Sequence, residues 1–466
     1  MREYELIIDD ALKVGLSPYD INSFNIPVLN ECLGFRIGKG QLELFETKDN
    51  PLPVTIDMFY DWPFPQYIVG DSYNILVVRD TVNQEDDVYA ISDDHNTVTA
   101  VFSVDELTFG KGGLMEVADF GEYCFMVNGV CMIYWNVTTT SWVATLATAT
   151  IPLMSTICNF KGQAVGGGIK SVWHDCDETF YVWSKIGEMD FTPDRKNTAG
   201  YRRCPFGGEV FNVRRLINKV VGYSSKGVTL MTPIDDPTTT FGFSEESDVG
   251  LINKGAIASS PDFSRHVYVG NDLRVREFTK DGIKELGYKH LMEFLGTDED
   301  IIVNYDPLNK DFYIGNSTQT FLLSPQGMSE VPQHPSAIWQ KNRETYFLPD
   351  AVDDYEALIV PEAFDFEYRG QKTIFSVESD ILVVDNPEVA IDYYLNLTTI
   401  GTTDYVPMNN EGVAAIIASG TAFRVRLKFE PTYSNTRIGY IKVRYKMTDL
   451  RGLRGVYAPP LRGQKR

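Results

Sequence analysis

The chain has 466 residues, a formal net charge of −22 and 43% hydrophobic residues. That length suits two or three domains, and the apolar content excludes a disordered chain. The charge excludes a broad duplex-gripping surface, which needs Lys and Arg to displace phosphate counterions, and no apolar run reaches the roughly 18 residues of a membrane helix.

Aromatic residues make up 12% of the chain, with 27 Phe and 25 Tyr. Large flat side chains suit the pleated surface of strands. The first residues, MREYELIIDD, place acids beside a short apolar run and do not read as a signal peptide. Residues 1–40 have little periodicity and are expected to form an N-terminal arm that wraps a rim or closes a ring. Within them Gly34-Phe-Arg-Ile-Gly38-Lys39-Gly40 looks like a phosphate loop, but it is one residue short and no Ser or Thr follows the Lys. A glycine turn is the plainer reading.

Residues 41–360 carry a recurring strand–turn–strand pattern. It appears at 74–92, 124–135, 179–191, 219–231, 265–278 and 310–323, and more weakly at 343–360. The sharpest case is Cys124-Phe-Met-Val-Asn128-Gly129-Val-Cys-Met-Ile-Tyr-Trp135. Asn-Gly between apolar runs predicts a two-residue turn, with Val127 facing Val130 and Met126 facing Cys131. One face then carries Cys124, Met126, Cys131 and Ile133, and the other Phe125, Val127, Val130, Met132 and Tyr134. Both faces are apolar, so the hairpin should be covered on both sides. Most turns recur about every 40 to 46 residues, close to one four-stranded propeller blade. The predicted fold class is therefore all-β: a β-propeller of five to seven blades, followed by a C-terminal antiparallel β-sandwich. A single sandwich with long loops is the alternative for the first part. Helix is scarce, with one short amphipathic segment predicted over 283–295 that buries Ile283, Leu286, Leu291 and Phe294.

The chain changes character near Val360-Pro361. Alternating runs at 373–379, 388–398, 423–430 and 440–447 predict a sandwich over 361–450, with the basic side chains of the last two runs on one face. Residues 451–466 have Gly and Pro but no strand or helix pattern, and form a basic tail.

Chemistry is hard to find. There is no G-x-S-x-G elbow. Lys161-Gly-Gln-Ala-Val-Gly166-Gly167-Gly168 reads as a flexible turn. Trp173-His174-Asp175-Cys176-Asp177 is the one local group of possible metal ligands, but neighbours on an extended chain point in opposite directions. A loop is the plainer reading, and no metal or cofactor is expected. The six cysteines, Cys32, Cys124, Cys131, Cys158, Cys176 and Cys204, form no CxxC pair and are expected buried and reduced. No catalytic residues are predicted.

Two charge features stand out. Residues 85–122 hold ten acids against Lys111, and residues 437–466 hold nine bases against Asp449. A solvated face is the plain reading of each. The alternative for the tail is docking on an acidic neighbour, with Arg451, Arg454, Tyr457, Arg462, Lys465 and Arg466 as contact residues.

The order of parts, together with the stretches 26–46, 208–233, 249–286 and 300–323, resembles the tail hub or nozzle proteins of short-tailed bacteriophages, of the packaged-DNA stabilisation type. The resemblance spans roughly residues 25–450 and rests on no single motif. It implies a structural virion protein of the tail, assembled in the host cytoplasm and without enzymatic activity. It implies a homo-oligomer, a six-fold ring, below portal and adaptor, with surfaces for tail fibre or needle proteins. Genomic DNA would pass without tight binding, and part of the 85–122 stretch, or another acidic loop, should face the lumen. The alternative function is a carbohydrate-binding or carbohydrate-cleaving propeller, such as a receptor-binding tail protein.

Overall fold

The computed structural model describes residues 3–20, 25–49, 66–69, 74–80, 85–92, 98–105, 114–120, 124–136, 141–236, 239–296, 301–341, 344–348, 355–368, 370–380, 385–395, 398–430 and 437–448. The fold is all-β, with 57% strand and 3% helix spread over many small sheets. Among the described residues no helix is long and apolar enough to cross a membrane. The chain divides into two units.

The unit formed by Thr47–Phe321 and Gln333–Ala351 is a succession of antiparallel meanders in strict chain order. The first runs Gln66–Val69, Asn74–Asp80, Glu85–Ile91 and Val98–Asp105, and the second Glu116–Asp119, Cys124–Val127, Met132–Asn136 and Ser141–Thr145. The third is Met154–Phe160, Gln163–Ile169, Phe180–Trp183 and Gly200–Arg203. The fourth is Val210–Leu216, Lys219–Ser224, Gly227–Asp236 and Thr239–Ser247, and the fifth Ile257–Ser259, Arg265–Val269, Val275–Thr279 and Gly282–Gly287. A sixth begins with the hairpin Ile302–Asp306 and Asp311–Gly315, and a seventh is the hairpin Ala337–Lys341 and Glu344–Leu348.

Each sheet packs face to face on the next, because both faces of its central strands are apolar. Ile75, Val77 and Val88 of the first meander meet Cys124, Met126 and Ile133 of the second. Phe125, Val127 and Met132 on the other face of the second meet Met154, Ile157 and Val182 of the third. Val165 and Tyr181 then meet Val213 and Val220 of the fourth. Aromatic contacts continue the series. Tyr223 lies 5.2 Å from Tyr268, Arg265 sits 4.8 Å over Phe312, and Tyr313 is 5.1 Å from Phe347. Ala337, Trp339 and Leu348 of the last hairpin finally pack on Leu76 and Ile91 of the first meander.

The predicted hairpin at 124–135 exists with a different register. Val127 faces Met132 and Met126 faces Ile133, leaving four residues in the loop instead of two. The cause is the Asn128 side chain, whose Oδ1 accepts hydrogen bonds from the N–H groups of both Val130 and Cys131 at 3.1 Å. That bonding competes with a tight turn. A shift of two residues preserves the faces. Cys124, Met126, Cys131 and Ile133 share one cluster, and Phe125, Val127 and Met132 the other; Val130 alone changes sides.

Other expectations are corrected. Residues 283–295 are not one helix: Gly282–Gly287 is a strand and only Lys289–Leu295 is helical. Gly287 and Tyr288, at φ +94° and +61°, break the segment, and Phe294 is exposed while Met292 is buried. The 179–191 segment is no hairpin, since Phe180–Trp183 pairs with Gly200–Arg203 across a long loop. The weak hairpin at 343–360 is divided, with Glu344–Leu348 in this unit and Ala357–Pro361 in the other. Gly166-Gly167-Gly168 is no flexible turn but the middle of a fully buried strand, where a Cβ on Gly166 would strike Met154. The turn is Lys161-Gly162, both at positive φ.

The second unit comprises Met1–Glu46, Leu322–Pro332 and Val352–Arg466, so the predicted boundaries at 40 and 360 both move. One sheet contains Met328–Val331, Leu29–Leu33, Ala357–Pro361, Ala422–Glu430, Asp385–Leu395 and Thr398–Thr402 in that order. A second places Glu3–Ile8 against Ile441–Met447, which pairs in turn with Lys372–Ser379. The N-terminal segment is thus no arm; it supplies strands to this unit. As predicted, Arg424, Arg426 and Lys428 share one face, opposite buried Val425, Leu427 and Phe429.

Candidate functional site

In the meander unit, the first strands and the residues just before them line a cavity of about 130 Å³. Its charged and amide groups come from four meanders: Glu116, Arg214, Lys254 and Asn304. The Glu116 carboxylate accepts from Arg214 Nη2 at 3.2 Å and from Asn212 Nδ2 at 2.8 Å. Asn304 Nδ2 donates to the carbonyls of Pro335 and Ser336, joining the sixth meander to the seventh.

Lys254 is the unusual member. Its ammonium donates to the carbonyl oxygens of Leu114 and Ser155, which precede or open the second and third meanders. Desolvation in this enclosed position lowers its pKa to about 8, against the pull of Glu116. Nearby, Lys170 bridges Glu209 at 2.7 Å and Glu178 at 3.1 Å. The cavity polar groups therefore tie sheet to sheet. The buried Nε of Arg214 has no acceptor among the described residues.

Of the acidic stretch 85–122, only the side chains of Glu116 and Asp119 lie within the described residues. Glu116 does line the cavity, but Arg214 and Lys254 offset its charge. The basic run behaves likewise. Lys442 and Arg444 meet Glu378 at 2.7 and 2.9 Å, Arg444 also meets Glu5 at 3.2 Å, and Lys446 meets Glu3 at 3.0 Å. Sequence spacing hid this, because Glu3 and Glu5 stand at the opposite end of the chain and Glu378 on a separate strand. The predicted contact residues Arg451, Arg454, Tyr457, Arg462, Lys465 and Arg466 lie outside the described residues.

The Trp173–Asp177 group does not converge. His174 and Asp175 both sit at positive φ, His174 stacks on Tyr201 at 5.9 Å, and Asp177 accepts from the Thr179 backbone and hydroxyl. Cys176 is a buried thiol pushed up to about 11, and burial pushes Cys158 up to about 12. All six cysteines are buried and unbridged. Among the described residues no three His, Cys, Asp or Glu side chains gather as a metal group. Gly38-Lys39-Gly40 caps the short hairpin Phe35–Ile37 and Leu42–Leu44, an ordinary glycine turn. No protein-family model matches this chain, and no curated protein matches its sequence.

Proposed function

We propose that this chain is a structural tail protein of a short-tailed bacteriophage, a ring-forming hub or nozzle that extends or closes the DNA channel below portal and adaptor. In this reading the meander unit is a seven-bladed propeller and the second unit a sandwich-like β domain. The observation that carries it is the serial packing of seven antiparallel elements, with the last hairpin packed on the first meander. Such packing removes exposed faces and gives a stiff body suited to an assembly. The polar groups of the central cavity support a scaffold role, because Lys254 and Asn304 spend their donors on backbone carbonyls. The protein acts without a cofactor, assembles in the host cytoplasm, lets DNA pass without tight binding, and offers surfaces to fibre or needle proteins.

The tail residues Arg451, Arg454, Tyr457, Arg462, Lys465 and Arg466 contact an acidic surface of a neighbouring subunit or tail partner. Low-resolution images of the purified chain, alone and with portal and adaptor, test the reading. Rings that join that assembly are expected, and deletion of residues 451–466 weakens assembly most at low salt, where the tail's charge is least screened. A chain that stays monomeric beside portal and adaptor, and binds saccharide by itself, overturns the reading in favour of a glycan-binding propeller.

A further inference from the structure

The outer strand of the third meander, Gly200–Arg203, pairs with Phe180–Trp183 on one side and, among the described residues, with no strand on the other. Tyr201, Arg202 and Arg203 are all exposed, as are Arg195 and Lys196 in the preceding loop. Residues 195–208 hold these four cations and no acid, within a chain of net charge −22. None of the four makes an ion pair among the described residues. Elsewhere in the chain, Arg276, Arg426 and Lys442 each rest on a carboxylate. The edge is held in shape: Arg202 lies 4.5 Å over the Phe243 ring, and Arg203 Nε donates to Thr179 Oγ1 at 3.1 Å. Beside it runs a groove of about 1,010 Å³ whose apolar wall includes Phe243, Ile186 and Ile234. Ile186 is 61% exposed and Ile234 45%.

We propose that this edge docks an acidic, extended segment of a partner protein, which adds as a further strand beside Gly200–Arg203. An open strand edge supplies unpaired backbone donors and acceptors. The guanidinium groups donate paired, forked hydrogen bonds to carboxylates. Alternate side chains of an added strand point to one face, where the groove receives them. A nucleic acid would also be drawn to four cations, but it offers no backbone ladder and would extend over an otherwise acidic chain. A short acidic segment confines its charge to the patch.

The test is fluorescence anisotropy with a labelled peptide of about nine residues alternating Glu and Val. The comparators are the same peptide with Lys for Glu, and a single-stranded oligodeoxythymidylate of similar length. The acidic peptide should bind saturably and the Lys peptide should not. Arg202→Glu with Arg203→Glu should weaken binding at least about tenfold, and binding should slow amide exchange at residues 200–203. If that pair alters the circular dichroism of the parent, Arg195→Glu with Lys196→Glu in the loop takes its place. Absence of saturable binding overturns the proposal. So does affinity unmoved by charge reversal, slowed exchange elsewhere only, or an oligonucleotide that binds as tightly as the peptide. None of these outcomes bears on ring formation, so the tail reading stands or falls separately.

Discussion

Tyr223 donates its phenolic hydrogen to Nδ1 of His266 across 2.9 Å, and the other ring nitrogen fixes this polarity. Nε2 lies 2.8 Å from the Arg215 carbonyl oxygen, which can only accept, so Nε2 carries the proton and Nδ1 accepts. The fully buried ring thereby links the fourth meander to the fifth as a neutral imidazole. Burial lowers its pKa to about 4. The unfolded chain therefore binds the extra proton between that value and the ordinary 6.5. The contribution of this group is complete above about pH 6.5 and falls as pH drops toward 4, by up to about 3 kcal/mol. Urea unfolding from pH 7 to 4.5 should show this loss, and His266→Gln should flatten the curve while lowering stability at pH 7. Parallel curves for parent and variant would mean the imidazole is not the titrating group.

The loop at Asn128 and Gly129 makes a second prediction. Gly129 has φ +94°, and Asn128 Oδ1 holds two backbone donors. Gly129→Val should cost about 1–2 kcal/mol, because a β-branched residue resists positive φ. Asn128→Ala should cost about 1–2 kcal/mol by leaving the Val130 and Cys131 N–H groups without their acceptor. A shift of the urea midpoint with unchanged slope checks both. Unchanged midpoints would contradict the observed loop.

What the sequence made legible follows from what is local. Period-2 alternation marks Ala422–Glu430 and Ile441–Met447 directly, since their apolar and basic faces are written residue by residue. The two faces of the 124–135 hairpin survive a register error because side-chain direction repeats every two residues. Non-local pairings leave no such trace. Nothing near Ala357–Pro361 announces that its partner is Leu29–Leu33. Glu116, Arg214 and Lys254 share a cavity although the first and last are 138 positions apart, so no spacing motif could gather them. At 283–287 a helical pattern was also compatible with a strand, and the left-handed Gly287 and Tyr288 decided between them.

Glu378 carries a third prediction. It faces Lys442 and Arg444, which lie between its own strand and Glu3–Ile8. The hydrogen bond and charge of Lys442 hold its carboxyl below the usual carboxylate range. That contribution is present at neutral pH and is lost as acid protonates Glu378. Glu378→Gln should cost about 1–2 kcal/mol at pH 7 and almost nothing near pH 3, with partial offset because the pair is not fully buried. The same variant should speed amide exchange along residues 3–8, whose strand rests on the Ile441–Met447 neighbour. An equal cost at both pH values would show that shape, and not charge, is what Glu378 supplies.

Lys372 gives the last prediction, and its sign differs from the carboxylate case. The side chain is fully buried, yet makes no ion pair among the described residues. Its ammonium donates to the carbonyls of Gly370 and Thr421, each at 2.8 Å, and sits 5.4 Å from the Phe366 ring and 5.3 Å from Tyr368. Carbonyl dipoles and aromatic faces replace only part of the lost hydration, so burial lowers the pKa to about 8. Between about 8 and the ordinary 10.5 the unfolded chain holds a proton that the folded protein releases. Stability therefore rises with pH through that window, by about 2–3 kcal/mol attributable to this group. Lys372→Met removes the titration but leaves two buried carbonyls without their donor, which should cost about 1–2 kcal/mol at pH 7. The difference in urea midpoint between parent and variant should accordingly widen from pH 7 to pH 10, with the parent gaining. A difference that stays constant across that range would mean the lysine keeps its proton in the folded protein, and that the two carbonyls and two rings solvate the ammonium as well as water does.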